Sequence, residues 1–244
     1  MSIMNKKNIL ITGSSRGIGL SIAKRFKADY NVFITGRCGE KLEKLCKQYD
    51  FSGYATIDLS KENAAEELFN KLNKEIDILI NNAGNYIYSP VEKLSHSEII
   101  NSINLNTLSH FELIKYYVTG MKKNNWGRII NIGSISGVMG EANASLYSLT
   151  KAALIGMTKA LALELAQNNI TVNIINPGWV DTELINNDSL GEDFSKAEIL
   201  ETIPQRRFVT PEEIAALCEF LVSDSAKTIT GQSINVCAGL SVGY

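Results

Sequence analysis

Tyr147 and Lys151 stand four residues apart, a spacing at which a helix carries both side chains on one face. Only Tyr147, among nine tyrosines, has a lysine at that offset. A phenol with an ordinary pKa of about 10 must release and recover a proton near neutrality to act as acid and base, and a neighbouring ammonium stabilises its phenolate form. Taken alone, the pair also fits a lysine stem lying beside a core ring. Ser134 precedes Tyr147 by thirteen residues and follows the apolar run 128–133. At the carboxyl end of a strand, such a hydroxyl can bond a substrate oxygen; otherwise it serves a turn or a cap.

A second group of residues suits a different ligand. The run Thr12-Gly13-Ser14-Ser15-Arg16-Gly17-Ile18-Gly19 follows an apolar segment and leads into residues 20–28, which read as a helix. Glycines let backbone N–H groups approach a pyrophosphate, and the positive end of a helix dipole adds favourable charge. In a dinucleotide-binding unit, a carboxylate after the second strand bonds the ribose 2′-OH of NAD and repels the 2′-phosphate of NADP. Thr35-Gly36-Arg37 occupies that place with no acid. Arg37 can pair with a phosphate, and Arg16 can reach the same side, so the expected cofactor is NADP(H).

The elements that must hold these groups alternate along the chain. Candidate strands are 8–12, 31–35, 53–58, 76–81, 128–133, 170–176 and 233–236, with helical stretches between most of them. Such alternation predicts an α/β fold, a doubly wound parallel sheet of about seven strands with helices on both faces. No repeat, low-complexity stretch or Pro/Gly linker divides residues 1–244, so one domain is expected. The polar segment 183–207 is the least regular and reads as a substrate loop or a surface excursion. The segment 146–165 is apolar on nearly every side, which predicts a helix buried in the core or between subunits.

Composition removes other classes. A net charge of −2 with no Lys/Arg block gives no footing for nucleic acid or an anionic membrane. No apolar run reaches the roughly 18 residues of a membrane span, and the N-terminal MSIMNKKNILITG lacks a signal-peptide pattern. A cytoplasmic location is therefore expected. Cys38, Cys46, Cys218 and Cys237 have neither CxxC spacing nor histidine neighbours, which predicts reduced thiols and no metal site.

TGSSRGIG, NNAG (81–84), GSISG (133–137), YSLTK (147–151), NPGWVDT (176–182) and TGQSINV (230–236) occur in the order seen in short-chain dehydrogenases/reductases. The chain resembles that family over essentially its whole length, most of all the 3-oxoacyl-(acyl-carrier-protein) reductases. The resemblance implies a Rossmann-type fold and hydride transfer between nicotinamide and a carbonyl or secondary alcohol. It also implies a homotetramer. By the same resemblance, Tyr147 is the general acid/base, Lys151 lowers its pKa and holds the nicotinamide ribose, and Ser134 orients the substrate. Beyond the loop Gly13–Gly19 and Arg37, the cofactor would meet Asp58, Leu59, Asn82, Ala83, Gly84, Tyr147, Lys151, Pro177, Gly178, Val180 and Thr182. A fourth catalytic residue is an asparagine, Asn104 or Asn106. The family's phenylalanine five residues onward, here Phe111, selects Asn106.

The chain departs from its relatives in two places. Val236-Cys237-Ala238-Gly239 replaces a common Val-Asp-Gly-Gly. Asn125 and Asn168 occupy positions that are arginines in carrier-dependent reductases, so a carrier-protein partner is doubtful, although Lys122 and Lys123 lie close by. Ser136, Val138, Glu141, Asn143, Asn85, Tyr86 and Trp179 are the substrate-facing candidates. Their polarity suits a small hydroxylated or sugar-like compound as readily as an acyl chain. The competing class, a nucleotide-binding regulatory protein that had lost the chemistry, would lack Ser134, Tyr147 or Lys151; all three are present.

Overall fold

The computed structural model describes residues 6–183 and 195–242. In its first half, β1 (Asn8–Ile11), α1 (Gly17–Phe26), β2 (Asn31–Gly36), α2 (Gly39–Tyr49), β3 (Gly53–Thr56), α3 (Ala64–Leu72) and β4 (Ile78–Asn81) alternate strictly. Then come α4 (His96–Ile103), α5 (Ser109–Lys123), β5 (Gly127–Ile132), the short α6 (Ser136–Met139), α7 (Ser145–Leu165), β6 (Ile170–Pro177), α8 (Lys196–Thr202), α9 (Pro211–Val222) and β7 (Ser233–Val236).

The described strands form one sheet in the order β3-β2-β1-β4-β5-β6-β7, and every neighbouring pair is parallel. A period of two explains why both faces need cover. Ile9, Ile11, Ile78, Ile80, Ile130 and Ile132 point to one face, where Ile22 and Phe26 of α1, Leu42 of α2 and Ile214, Cys218 and Leu221 of α9 pack on them. Leu10, Leu79, Ile129 and Val172 point to the other, against Leu68 of α3, Leu113 and Tyr117 of α5 and Ala162 and Leu165 of α7. The strand order reverses between β1 and β4, which opens a crevice beyond their carboxyl ends, where ligands bind in open α/β sheets.

The strands form where the alternation places them, within two residues at either end. Two details differ, and a third was left open by the sequence. Helix α1 starts at Gly17 rather than at residue 20, because the glycine loop itself turns into the first helical turn. Within 183–207 the chain is not irregular throughout: α8 occupies Lys196–Thr202 behind a Ser195/Glu198 capping box, and residues 184–194 lie outside the described residues. Helix α7 buries Leu146, Leu154, Ala162 and Leu165 but leaves Leu149 58% and Leu163 84% exposed, so within a single chain it is not covered on every side. Among the described residues, no helix is long and apolar enough to cross a membrane.

Candidate functional site

The glycine loop is held from below by the end of β4. Thr12 Oγ1 accepts from the backbone N–H groups of Asn82 (2.9 Å) and Ala83 (3.0 Å), and Asn82 Nδ2 donates to Thr12 O and Gly13 O. Gly13 has φ +62, and a Cβ there would lie 2.8 Å from Ala83 Cα, so only glycine keeps the loop this close to β4. Helix α1 opens on Arg16 with no side-chain cap and no acidic residue in its first turn, whereas α4, α8 and α9 all begin with a capping box and a glutamate. Its first-turn N–H groups therefore remain available to an anion, reinforced by the dipole. A dinucleotide pyrophosphate fits that cradle.

Arg37 is exposed at the end of β2 and lines the same cleft as Asp58 and Leu59. Burial alone would raise the Asp58 carboxyl. Hydrogen bonds from the Ser60 hydroxyl and N–H, with Lys61 and Arg37 nearby, outweigh it and hold the group below its usual range. Arg16 lies 3.6 Å from Glu183, which brings the chain after β6 over the loop, and Thr182 Cγ2 sits against the open side of Gly17.

The candidate catalytic groups meet at the other end of this cleft. Ser134 follows β5, and Tyr147 and Lys151 lie one turn apart on α7. Ser134 Oγ accepts from Ser136 N at 3.1 Å and lies 3.2 Å from Ser136 Oγ. Lys151 is buried, donates from Nζ to Ile132 O at 2.8 Å and sits 5.7 Å from the Tyr147 ring centroid. Burial pushes the Tyr147 phenol up to about 12; the Ser134 hydrogen bond pulls it down and the Glu141 carboxylate pushes it up again. Burial also brings the Lys151 ammonium down to about 8. In the chain by itself, desolvation is the largest influence on both groups and drives them towards neutrality.

Asn106 is fully buried, inside a π-helical turn, Asn104–Leu108, that joins α4 to α5. Its Nδ2 donates to Asn85 O (3.0 Å), Ser102 Oγ and Thr150 Oγ1, and its Oδ1 accepts from Asn85 N at 2.9 Å. A Cβ on Gly84 would lie 3.2 Å from Asn106 Oδ1 and 3.4 Å from Lys151 Nζ, so these groups surround one point. Asn104 instead turns away and donates to Ser60 O.

The cleft has a volume of about 1180 Å³ and runs from Arg37 to Trp179 and Leu240. It is lined by most of the residues singled out in the sequence, including Ser15, Ile18, Pro177, Gly178 and Val180. Ser14, Gly19 and Asn106 stand behind its wall. Ser14 Oγ bonds Ile11 O, and Gly19 packs where a Cβ would meet Asn82 Nδ2 at 2.6 Å. Of the substrate-facing candidates, Asn85, Tyr86, Ser136, Glu141 and Trp179 line the cleft. Val138 points to solvent, and Asn143 bonds Tyr88 Oη outside it. Sequence reasoning missed Asn101, Leu105 and Met139, while Glu198, Ile199 and Thr202 fall in the segment 183–207 read as a substrate loop but were not named individually. None sits in a motif; helical packing alone brings them in.

A protein-family model described as enoyl-(acyl carrier protein) reductase matches residues 13–241. The chain is 38% identical to a 3-oxoacyl-(acyl-carrier-protein) reductase, FabG, of Aquifex aeolicus, over 95% of this chain and 96% of that one. It is 34% identical to a D-beta-hydroxybutyrate dehydrogenase of Cupriavidus necator, over 97% and 98%. The crystal structure of an actinorhodin polyketide ketoreductase with NADPH superposes with a TM-score of 0.88 at 31% identity, covering 100% of both chains.

Proposed function

Because the chain belongs to the short-chain dehydrogenase/reductase family, we propose that it interconverts a carbonyl and a secondary alcohol with NADP(H), using Tyr147 as the acid/base group. One observation carries this reading. Ser134, Tyr147 and Lys151 converge at one end of a single cleft whose other end is an uncapped, glycine-lined helix N-terminus beside Arg37. When bound, the nicotinamide cofactor supplies or takes up the hydride. Gly13 to Ile18 and the first turn of α1 would hold its pyrophosphate, Arg37 its 2′-phosphate, and Asp58 and Leu59 its adenine side.

The chain's own residues then handle the oxygen and its proton. In the reducing direction, Tyr147 gives its hydroxyl proton to the carbonyl oxygen, and Ser134 orients that oxygen. Ile132 O takes one of the three donors of Lys151 and aims the ammonium, leaving two for ribose hydroxyls and for the field at the phenol. Asn106 holds Asn85 and the Gly84 turn in register with Lys151. Its buried position supports Asn106 over Asn104 as the fourth residue of the relay.

The test is NADPH oxidation against ketones, aldehydes, 3-oxoacyl thioesters and keto sugars. Turnover of at least one class is expected, and turnover of none overturns the proposal. A 3-oxoacyl-like substrate follows from the relatives. The hydroxyl- and carboxylate-lined wall of Tyr86, Ser136 and Glu141 supports a second reading, a small polar compound free of any carrier. One sheet containing all the described strands supports a single domain over 1–244, and Glu198, Ile199 and Thr202 of α8 at the cleft support the reading of 183–207 as a substrate loop. The exposed Leu108 and Phe111 of the α4–α5 segment, with Leu149 and Leu163 of α7, support a homotetramer, which light scattering would test.

A further inference from the structure

Five side chains ring the substrate end of the cleft. At the Tyr147 end, Ser134 Oγ lies 3.2 Å from Ser136 Oγ. Ser136 Oγ donates to Glu141 Oε2 at 2.6 Å, and Tyr86 Oη donates to Glu141 Oε1 at 2.6 Å. The Tyr86 ring then meets the Tyr147 ring edge-on, with centroids 5.0 Å apart. Glu141 is the only acid in the ring. A carboxylate accepts and cannot donate, so Ser136 and Tyr86 must each spend their one proton on Glu141. The ring therefore presents acceptors beside Ser134: the remaining lone pairs of both Glu141 oxygens.

Arg16 and Arg37 line the glycine-loop end of the cleft, with Glu183 and Asp58 beside them, while Glu141 lines the substrate end. Among the described residues lining that substrate end, Lys151 is the only cation, and it is turned to Ile132 O. An anionic substituent placed there would face Glu141 with no cation to receive it, whereas a donor would find a short-range carboxylate already fixed by two hydroxyls.

We propose that Glu141 sets the substrate class of this site: it selects carbonyl compounds with a hydrogen-bond donor, hydroxyl or ammonium, on the carbon next to the reacting one, and disfavours those with a carboxylate there. The inference rests on the reductase reading above and names the side of the substrate that reading left open.

Four matched ketones test it: hydroxyacetone, aminoacetone, acetoacetate and methyl acetoacetate, assayed with NADPH below neutral pH, where the amine carries its proton. Wild type should favour aminoacetone and hydroxyacetone over acetoacetate in kcat/KM. In Glu141→Gln, which is nearly isosteric, the aminoacetone-to-acetoacetate ratio should fall by about tenfold or more, the scale of one charge-assisted hydrogen bond. The hydroxyacetone arm should fall less, because it loses no full charge pair. Tyr86→Phe keeps the carboxylate and frees one of its oxygens, so its ratio should hold or rise. An unchanged ratio in Glu141→Gln, or an equal fall in both variants, overturns the proposal. Reduction of methyl acetoacetate with no donor preference sinks this inference alone. If wild type reduces none of the four, this assignment falls together with the carbonyl-reductase reading as applied to small ketones, and the wider substrate screen then decides that reading.

Discussion

Desolvation governs the two ionisable residues of the site before any partner arrives. Tyr147 is held near 12 and Lys151 near 8, so the proton the chemistry needs is stored on the phenol. Tyr147→Phe keeps the ring and removes that proton. Turnover should drop by about 10² to 10⁴, the usual contribution of a general acid/base, while NADPH affinity, followed by fluorescence, should stay near normal. Arg37→Asp should weaken NADP(H) and raise the relative use of NAD(H), by loss of a phosphate partner and gain of repulsion; an unchanged ratio of kcat/KM for the two cofactors would remove Arg37 from the phosphate site. Lys151 also predicts a stability profile. Its folded value of about 8 lies below its ordinary 10.5, so between those pH values the unfolded chain binds the extra proton and stability rises with pH. Tyr147 acts in the opposite sense, its folded value of about 12 exceeding 10.0, and removes stability only above about pH 10. The melting temperature of the cofactor-free chain should accordingly rise from pH 8 towards 10, and Lys151→Met should flatten that rise.

At the scale of elements, the π turn Asn104–Leu108 has a direct consequence for position. One extra residue in the turn accompanies the inward placement of Asn106, while Asn104 faces Ser60. The departure at the C-terminal turn also has a structural cost. Ala238 takes φ +52, in the left-handed region that suits glycine, just before Leu240 reaches the cleft. Holding a Cβ there costs about 1 kcal/mol. Ala238→Gly should relieve this and raise the melting temperature by a few degrees, read by calorimetry against wild type, unless the added freedom of the unfolded chain cancels it. A lower melting temperature would show that Ala238 packs to advantage.

For the whole molecule, the sheet order places both ends of the cleft at the β1–β4 reversal, and the outer surface decides which substrates reach it. Asn125 takes φ +48, a conformation asparagine tolerates and arginine does not favour, and Lys122 lies 3.7 Å from Glu164. Neither presents a free cation to an acidic carrier. Handling of carrier-bound 3-oxoacyl substrates should therefore be no better than that of short thioesters, and insensitive to salt. The measurement is kcat/KM for both forms at low and high ionic strength. A carrier preference that collapses with salt would point to Lys123 or another cluster as the docking surface.

The sequence by itself determined the strands, the glycine loop and the Tyr147/Lys151 pair, because these depend on local rules: a period of two, a period of 3.6, and the backbone freedom of glycine. Its preference for Asn106 over Asn104 came only from resemblance, since nothing local distinguishes two asparagines two residues apart. Only the tertiary structure decided what surrounds them. Tyr86 lies 55 residues before Glu141, and no spacing rule predicts that one carboxylate will collect its hydroxyl together with that of Ser136. The inserted π turn, the left-handed Ala238 and the burial that moves Tyr147 and Lys151 towards neutrality belong to the same class. Each depends on desolvation or on contacts between residues distant in the chain, and these exist only once the sheet is covered on both faces.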